Sequence, residues 1–196
     1  MNSQYIRFFV AAGIVLLLLA TPIGAQEQER ETFRALARHT GTGPSGQTTI
    51  QITIDRFSTQ EEHDHILEVV MNENNQTISD ELGDFESVGF LRVTGSAAGR
   101  GAGSWQLRYA REVQQGDTRV IRIATDRPIA FVEAVRRPTR SWDSQTTLIE
   151  LNLDENGEGE GVLMAGVEFT VDAKSGQITL SHMSSSPVRL EQVRPS

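Results

Sequence analysis

Hydrophobic and polar residues alternate along most of this chain with a period of two. From Thr48 to Asp55, Ile50, Ile52 and Ile54 fall on one face and Thr49, Gln51, Thr53 and Asp55 on the other, which is the pattern of a half-buried strand. Thr32 to Arg38 alternates likewise, with Phe33, Ala35 and Ala37 on one side, and the glycines and Pro44 of the 40–46 stretch predict a turn between the two. Further strands are predicted over 88–94, 104–113, 118–125, 129–135, 146–153, 162–171, 177–182 and 188–193. Leu163, Ala165, Val167, Phe169 and Val171 form the clearest stripe. Pro187, which has no N–H to donate, confines the last segment to a sheet edge or a strand start.

One stretch breaks the period. Ser58, with Glu61 three residues on, offers a capping box, and Ile66, Leu67, Val69 and Val70 follow at helical spacing, so a helix is predicted over 59–71. Ile78, Leu82 and Phe85 predict a short helical turn near 77–85. Gln115-Gly116-Asp117, Asn156-Gly157 and Lys174-Ser175-Gly176 are hairpin signals, so neighbouring strands should be antiparallel. The expected fold is mainly β (α+β): nine or ten mostly antiparallel strands forming a curved sheet, an open barrel or a sandwich, with the helical segment inserted. Strands and helices do not alternate as a doubly wound sheet requires.

The first 25 residues read differently. Arg7 precedes an apolar run through Phe8, Phe9 and Val10 to Leu19 and Ala20, and Pro22, Gly24 and Ala25 suit a cleavage site before Gln26. The run is shorter than the roughly 20 residues that span a bilayer as a helix. A signal peptide over 1–25 is therefore expected, followed by a single β-rich domain over 26–196; an uncleaved anchor would tether the same domain. No later segment is apolar enough to span, so no membrane span is expected after leader removal, and the chain should be exported, to the periplasm or the exterior.

Composition narrows the chemistry. The 196 residues carry 18 basic and 26 acidic side chains for a net charge of −8, which argues against nucleic acid or an anionic membrane surface as the main partner. With no cysteine, disulfides and thiolate chemistry are excluded; such a chain suits a bacterial envelope better than eukaryotic secretion. The single lysine, Lys174, lies in a turn and not in a phosphate-binding loop, and the glycine-rich 95–103 stretch misses the dinucleotide spacing and leads into a strand. No cofactor is expected.

The candidate ligand site is Arg136, Arg137, Arg140 and Trp142, three guanidinium forks and a ring in one predicted loop, suited to an anion. Trp105, Leu107 and Tyr109 share one face of the predicted 104–113 strand, and Trp105 and Tyr109 join the candidate set as residues that could line a cavity. His63 and His65 are two apart, about 200° around a helix, so they cannot share a metal there, and no metal site is expected from them. His63 lies beside Ile66, Leu67 and Val70; His65 aligns with Glu61 and Glu68. Asp154 to Glu160 places oxygens at alternate positions, as a calcium loop does, but Ala165 stands where the bidentate glutamate belongs, so a hairpin tip is the expectation. No nucleophile elbow or His-Glu-x-x-His is present.

Arg56 to Glu62, Leu107 to Arg111, Thr125 to Ile129 and Leu148 to Leu151 with the Asp154–Gly161 loop together resemble an uncharacterised family of exported bacterial single-domain proteins. The resemblance implies a bacterial, single-domain chain and transfers no activity, ligand or site residue. The leading expectation is an exported non-catalytic binding protein for a small amphipathic ligand or a cell-envelope component. The alternatives are a secreted or periplasmic hydrolase using a histidine such as His65 or His182, and a structural subunit of an envelope assembly.

Overall fold

The computed structural model describes residues 30–39, 46–72, 75–94, 103–129, 146–171, 178–183 and 187–196. Each stretch of two-residue alternation within them is a strand: β1 Glu31–His39, β2 Gln47–Ile54, β3 Gly89–Val93, β4 Ser104–Leu107, β5 Tyr109–Gln115, β6 Thr118–Thr125, β7 Thr147–Leu153, β8 Gly159–Ala165, β9 Val167–Val171, β10 Ile178–Met183 and β11 Val188–Pro195. Two helices, α1 Gln60–Asn72 and α2 Asn75–Asp84, lie between β2 and β3. The helical turn expected near 77–85 is thus a full helix of ten residues. The predicted 129–135 strand lies outside the described residues, apart from Ile129.

Nine strands form one antiparallel sheet in the order β4-β3-β2-β1-β11-β8-β7-β6-β5, curled into a nearly closed barrel, and β9 pairs with β10 in a separate ribbon. The order contains two runs of strands consecutive in the chain, β1 to β4 and β5 to β8, and β11 stands between β1 and β8. All nine strands send apolar side chains into one core, among them Phe33, Ile52, Leu91, Leu107, Ile121, Leu151, Leu163 and Leu190. Pro187 sits just before the first residue of β11, where its missing N–H is harmless, and so the strand is interior to the sheet despite it. Within β11 a bulge at Gln192, whose φ is 54°, lets both Leu190 and Val193 reach the core, where strict alternation would turn one outward.

The barrel seam lies at Arg108. The chain leaves one sheet edge at Leu107 and starts the opposite edge at Tyr109, so the strand expected over 104–113 is two strands. The Arg108 N–H donates to the Ala124 carbonyl, its Nη1 donates to the Phe85 carbonyl at 2.8 Å, and its Nε lies 3.5 Å from Asp126. The jog shifts the alternation by one: Leu107 and the partly buried Trp105 face the core, Tyr109 packs on the other side, and Ala110 returns to the core. Trp105, Leu107 and Tyr109 therefore do not share a face. Ser58 closes the adjoining edge, its N–H donating to the Ala110 carbonyl and its Oγ accepting from the Ala110 N–H.

The segment expected as one strand over 162–171 is likewise divided. Gly166 takes φ of 65°, open to glycine at little cost, and turns the chain out of the nine-stranded sheet, so that among the described strands β9 is paired with β10. Leu163 and Ala165 stay in the barrel core while Phe169 packs against the helices.

One barrel end is closed by charge. Glu31, Arg119 and Glu112 occupy the inward phase of β1, β6 and β5, two residues beyond Phe33, Ile121 and Ala110. Arg119 donates to both oxygens of Glu31, at 2.8 and 2.7 Å, and to Glu112 at 2.7 Å. These bonds hold its guanidinium pKa well above the ordinary arginine value, Glu31 contributing most.

Candidate functional site

The outward phase of β5 to β8 is where the second apolar cluster forms. Ala124 on β6 and Leu148 on β7 point away from the barrel core, and Ile66, Val69 and Val70 of α1 with Ile78 and Leu82 of α2 pack over them. The helix pair is positioned by specific bonds. Thr59 caps α1, its Oγ1 accepting from the Glu62 N–H at 3.1 Å while the Glu62 carboxylate accepts from the Thr59 N–H at 2.8 Å. The capping box is thus Thr59 with Glu62, one residue later than expected, because Ser58 is spent on the β5 edge. Arg56 grips the same Glu62 with two bonds of 2.8 Å, the main reason that carboxyl is held below its usual range. Ser79 of α2 is bonded to Thr146, just before β7, oxygen to oxygen at 2.9 Å.

Between the helix pair and the sheet remains a cavity of about 580 Å³, within the range of small-molecule sites. Ile66, Leu67, Val70, Leu148, Met164 and Phe169 are among its apolar lining residues. Ala124 is one origin of the space, since a methyl group stands where its apolar neighbours carry longer chains.

The polar groups are few and arranged. His63, one turn before Ile66 and Leu67, places Nδ1 2.8 Å from the Tyr109 hydroxyl, and the two rings stack with centroids 6.1 Å apart. Burial, helped by the charge on Arg111, lowers the His63 pKa, and burial raises that of Tyr109. At neutral pH the pair is an uncharged imidazole and a phenol. Beside it runs a row across three strands: Arg111 on β5 is the direct partner of Arg122 on β6, which is the direct partner of Glu150 on β7. Arg122 Nε donates to Glu150 at 3.0 Å. Arg111 donates to the Gln60 side-chain carbonyl at 3.1 Å, and the Gln60 amide donates in turn to the exposed Asp64 at 2.7 Å. All four side chains, His63, Arg111, Arg122 and Glu150, line the cavity.

Of the residues singled out from sequence, Tyr109 lines this cavity and Trp105 does not; the Trp105 ring packs on the barrel core. Arg136, Arg137, Arg140 and Trp142 lie outside the described residues. His65 shares one surface with Glu61 and Glu68, as expected, and bonds Glu81 of α2 at 2.9 Å, tilted against Phe85. His182 lies on β10, its backbone opposite Glu168 of β9. Asp154 spends one carboxylate oxygen on the N–H groups of Asn156 and Glu158 in its own turn. Among the described residues no group of three or more histidine and acidic side chains is placed to hold a metal ion. Arg111, Arg122 and Glu150 were missed, although the two-residue turn at Gly116-Asp117 fixes Arg111 opposite Arg122.

The fold and site define an antiparallel barrel-like protein with a helix pair laid on its outer face and a mostly apolar cavity between the layers. Comparison of the chain with protein-family models, with curated proteins and with solved structures gave no match.

Proposed function

We propose that this chain is an exported, non-catalytic binding protein that takes a small amphipathic molecule into the cavity between α1, α2 and the outer face of β5 to β8. The observation that carries the reading is the cavity itself, about 580 Å³ walled mainly by aliphatic and aromatic side chains, with His63, Tyr109, Thr146 and the Arg111–Arg122–Glu150 row as its polar groups. An apolar wall rewards burial of a hydrocarbon or ring, and convergent polar groups fix which end lies where. The leader pattern of residues 1–25 supports export. No helix among the described residues is long and apolar enough to cross a membrane.

Nile red, a neutral apolar dye that brightens on leaving water, tests the reading. The protein should bind it saturably, and Met164→Trp, which fills the cavity from β8, should weaken binding at least about tenfold with the circular dichroism spectrum unchanged. Undiminished binding by a folded Met164→Trp protein would move the ligand elsewhere and overturn the assignment. Native mass spectrometry of protein recovered from its producing cell would then identify the resident molecule by its mass.

A further inference from the structure

We infer that the ligand of this cavity is a monoanion, an apolar chain or ring system ending in a single carboxylate or similar oxyacid group whose charge is taken by Arg111. The inference rests on the binding reading above and adds the chemistry of the head group. Three charged side chains line the cavity, two arginines and one glutamate, in a protein whose overall charge is −8. Cross-strand registration sets them in the order Arg111, Arg122, Glu150, so Glu150 neutralises its direct neighbour Arg122 and leaves Arg111 over. Like charges directly opposite on a sheet are unfavourable, and the arrangement costs stability unless an anion offsets it.

Arg111 makes no direct ion pair among the described residues: it donates to Gln60, interacts with the Tyr109 hydroxyl, and is linked to Asp64 through the Gln60 amide. Gln60 occupies Nη2, which leaves further guanidinium N–H groups to form the two-pronged bond that planar carboxylates accept. The neighbouring groups favour the same polarity. His63 is kept neutral beside Arg111 and does not add a second positive charge, while the Tyr109 phenol keeps its proton and can donate. The same cavity is lined by Leu67, Val70, Leu148 and Phe169, so a ligand with its head at Arg111 has hydrocarbon available for its tail.

Decanoate and decanol, which share a chain and differ in head group, make the test as competitors of Nile red at neutral pH and low salt. Decanoate should displace the dye at about tenfold lower concentration than decanol, as expected for one charge-assisted pair at a partly wet site. Arg111→Gln should erase that preference and leave decanol unaffected. Glu150→Gln, which raises the surplus from one positive charge to two, should strengthen decanoate a few-fold. Equal competition by acid and alcohol, or a preference that survives Arg111→Gln, overturns the monoanion inference while the cavity reading stands. Failure of both competitors to displace a dye that Met164→Trp does exclude overturns the inference alone, and failure of the dye to bind overturns both.

Discussion

Arg119→Ala opens the charged end of the barrel, and its cost can be worked from the geometry. The substitution removes three charge-assisted hydrogen bonds, two to Glu31 and one to Glu112, and leaves two carboxylates facing one another. Fully buried bonds of this kind contribute about 1.5–3 kcal/mol each, whereas exposed ion pairs contribute about 0.2–1 kcal/mol in total. The side chains are 24% and 28% exposed for Arg119 and Glu31 and 42% for Glu112, so water recovers much of the loss. The expected destabilisation is about 1–2 kcal/mol, a fall in Tm of about 3–6 °C for a domain of this size. Urea unfolding followed by circular dichroism should show it, with less effect at high salt. Arg119→Lys keeps the charge and loses the fork, so it should recover less than half. The decisive quantity is the coupling in a double-mutant cycle with Glu31→Gln, expected near 1 kcal/mol. A coupling within about 0.3 kcal/mol of zero would mean the two side chains stabilise the fold independently, and the closure of the barrel end by this pair would be wrong.

Glu62→Gln should lower Tm at neutral pH by an amount corresponding to about 0.5–1 kcal/mol, because it loses the charged fork with Arg56, while the glutamine carbonyl can still accept from the Thr59 N–H. The folded-state pKa of Glu62 is depressed, so its contribution is present above the unfolded value near 4.5 and is lost as pH falls through the folded one; wild type and variant should converge in thermal melts at acid pH. His63 has a depressed folded pKa as well, from burial and Arg111, so the protein should lose stability as pH falls below about 6.5, and His63→Gln should flatten that part of the profile. At Gln192, with φ of 54°, Gln192→Gly should be neutral or slightly stabilising, while Gln192→Val should cost about 1–2 kcal/mol in urea melts. Equal effects of glycine and valine there would exclude the bulge geometry.

What the sequence made legible was whatever depends on residue spacing alone. β6 is Thr118–Thr125 as its alternation and flanking turn require, and α1 and the antiparallel pairing follow from local signals. The errors fall where the chain changes face without changing pattern. At Arg108 and at Gly166 the apolar alternation runs on across a break, and only the tertiary structure shows that Tyr109 and Phe169 have left the barrel core for the helix layer. The capping box slipped by one residue because Ser58 and Thr59 are equivalent candidates until Ala110 claims one of them. Tyr109 was legible for its ring and His63 for its place beside Ile66, Leu67 and Val70, but the bond between them joins positions far apart in the chain. The Arg111–Arg122–Glu150 row spans three strands, and charged residues scattered through polar phases give no sign of it until the register is laid out.

The place of β11 bears on the order in which this barrel can be made. The runs β1 to β4 and β5 to β8 are each built from consecutive strands, whose short-range pairings close quickly, but neither run completes the sheet without the segment 188–195 between them. Phe33 must meet Pro195, and His39 must meet Val188, across nearly the whole described chain. During synthesis the two half-sheets are therefore on hand, each with an open edge, well before the strand that joins them, and the search for that long-range pairing sets the pace of folding. A nascent chain that has not yet delivered residues 188–195 is held short of the native sheet by topology alone.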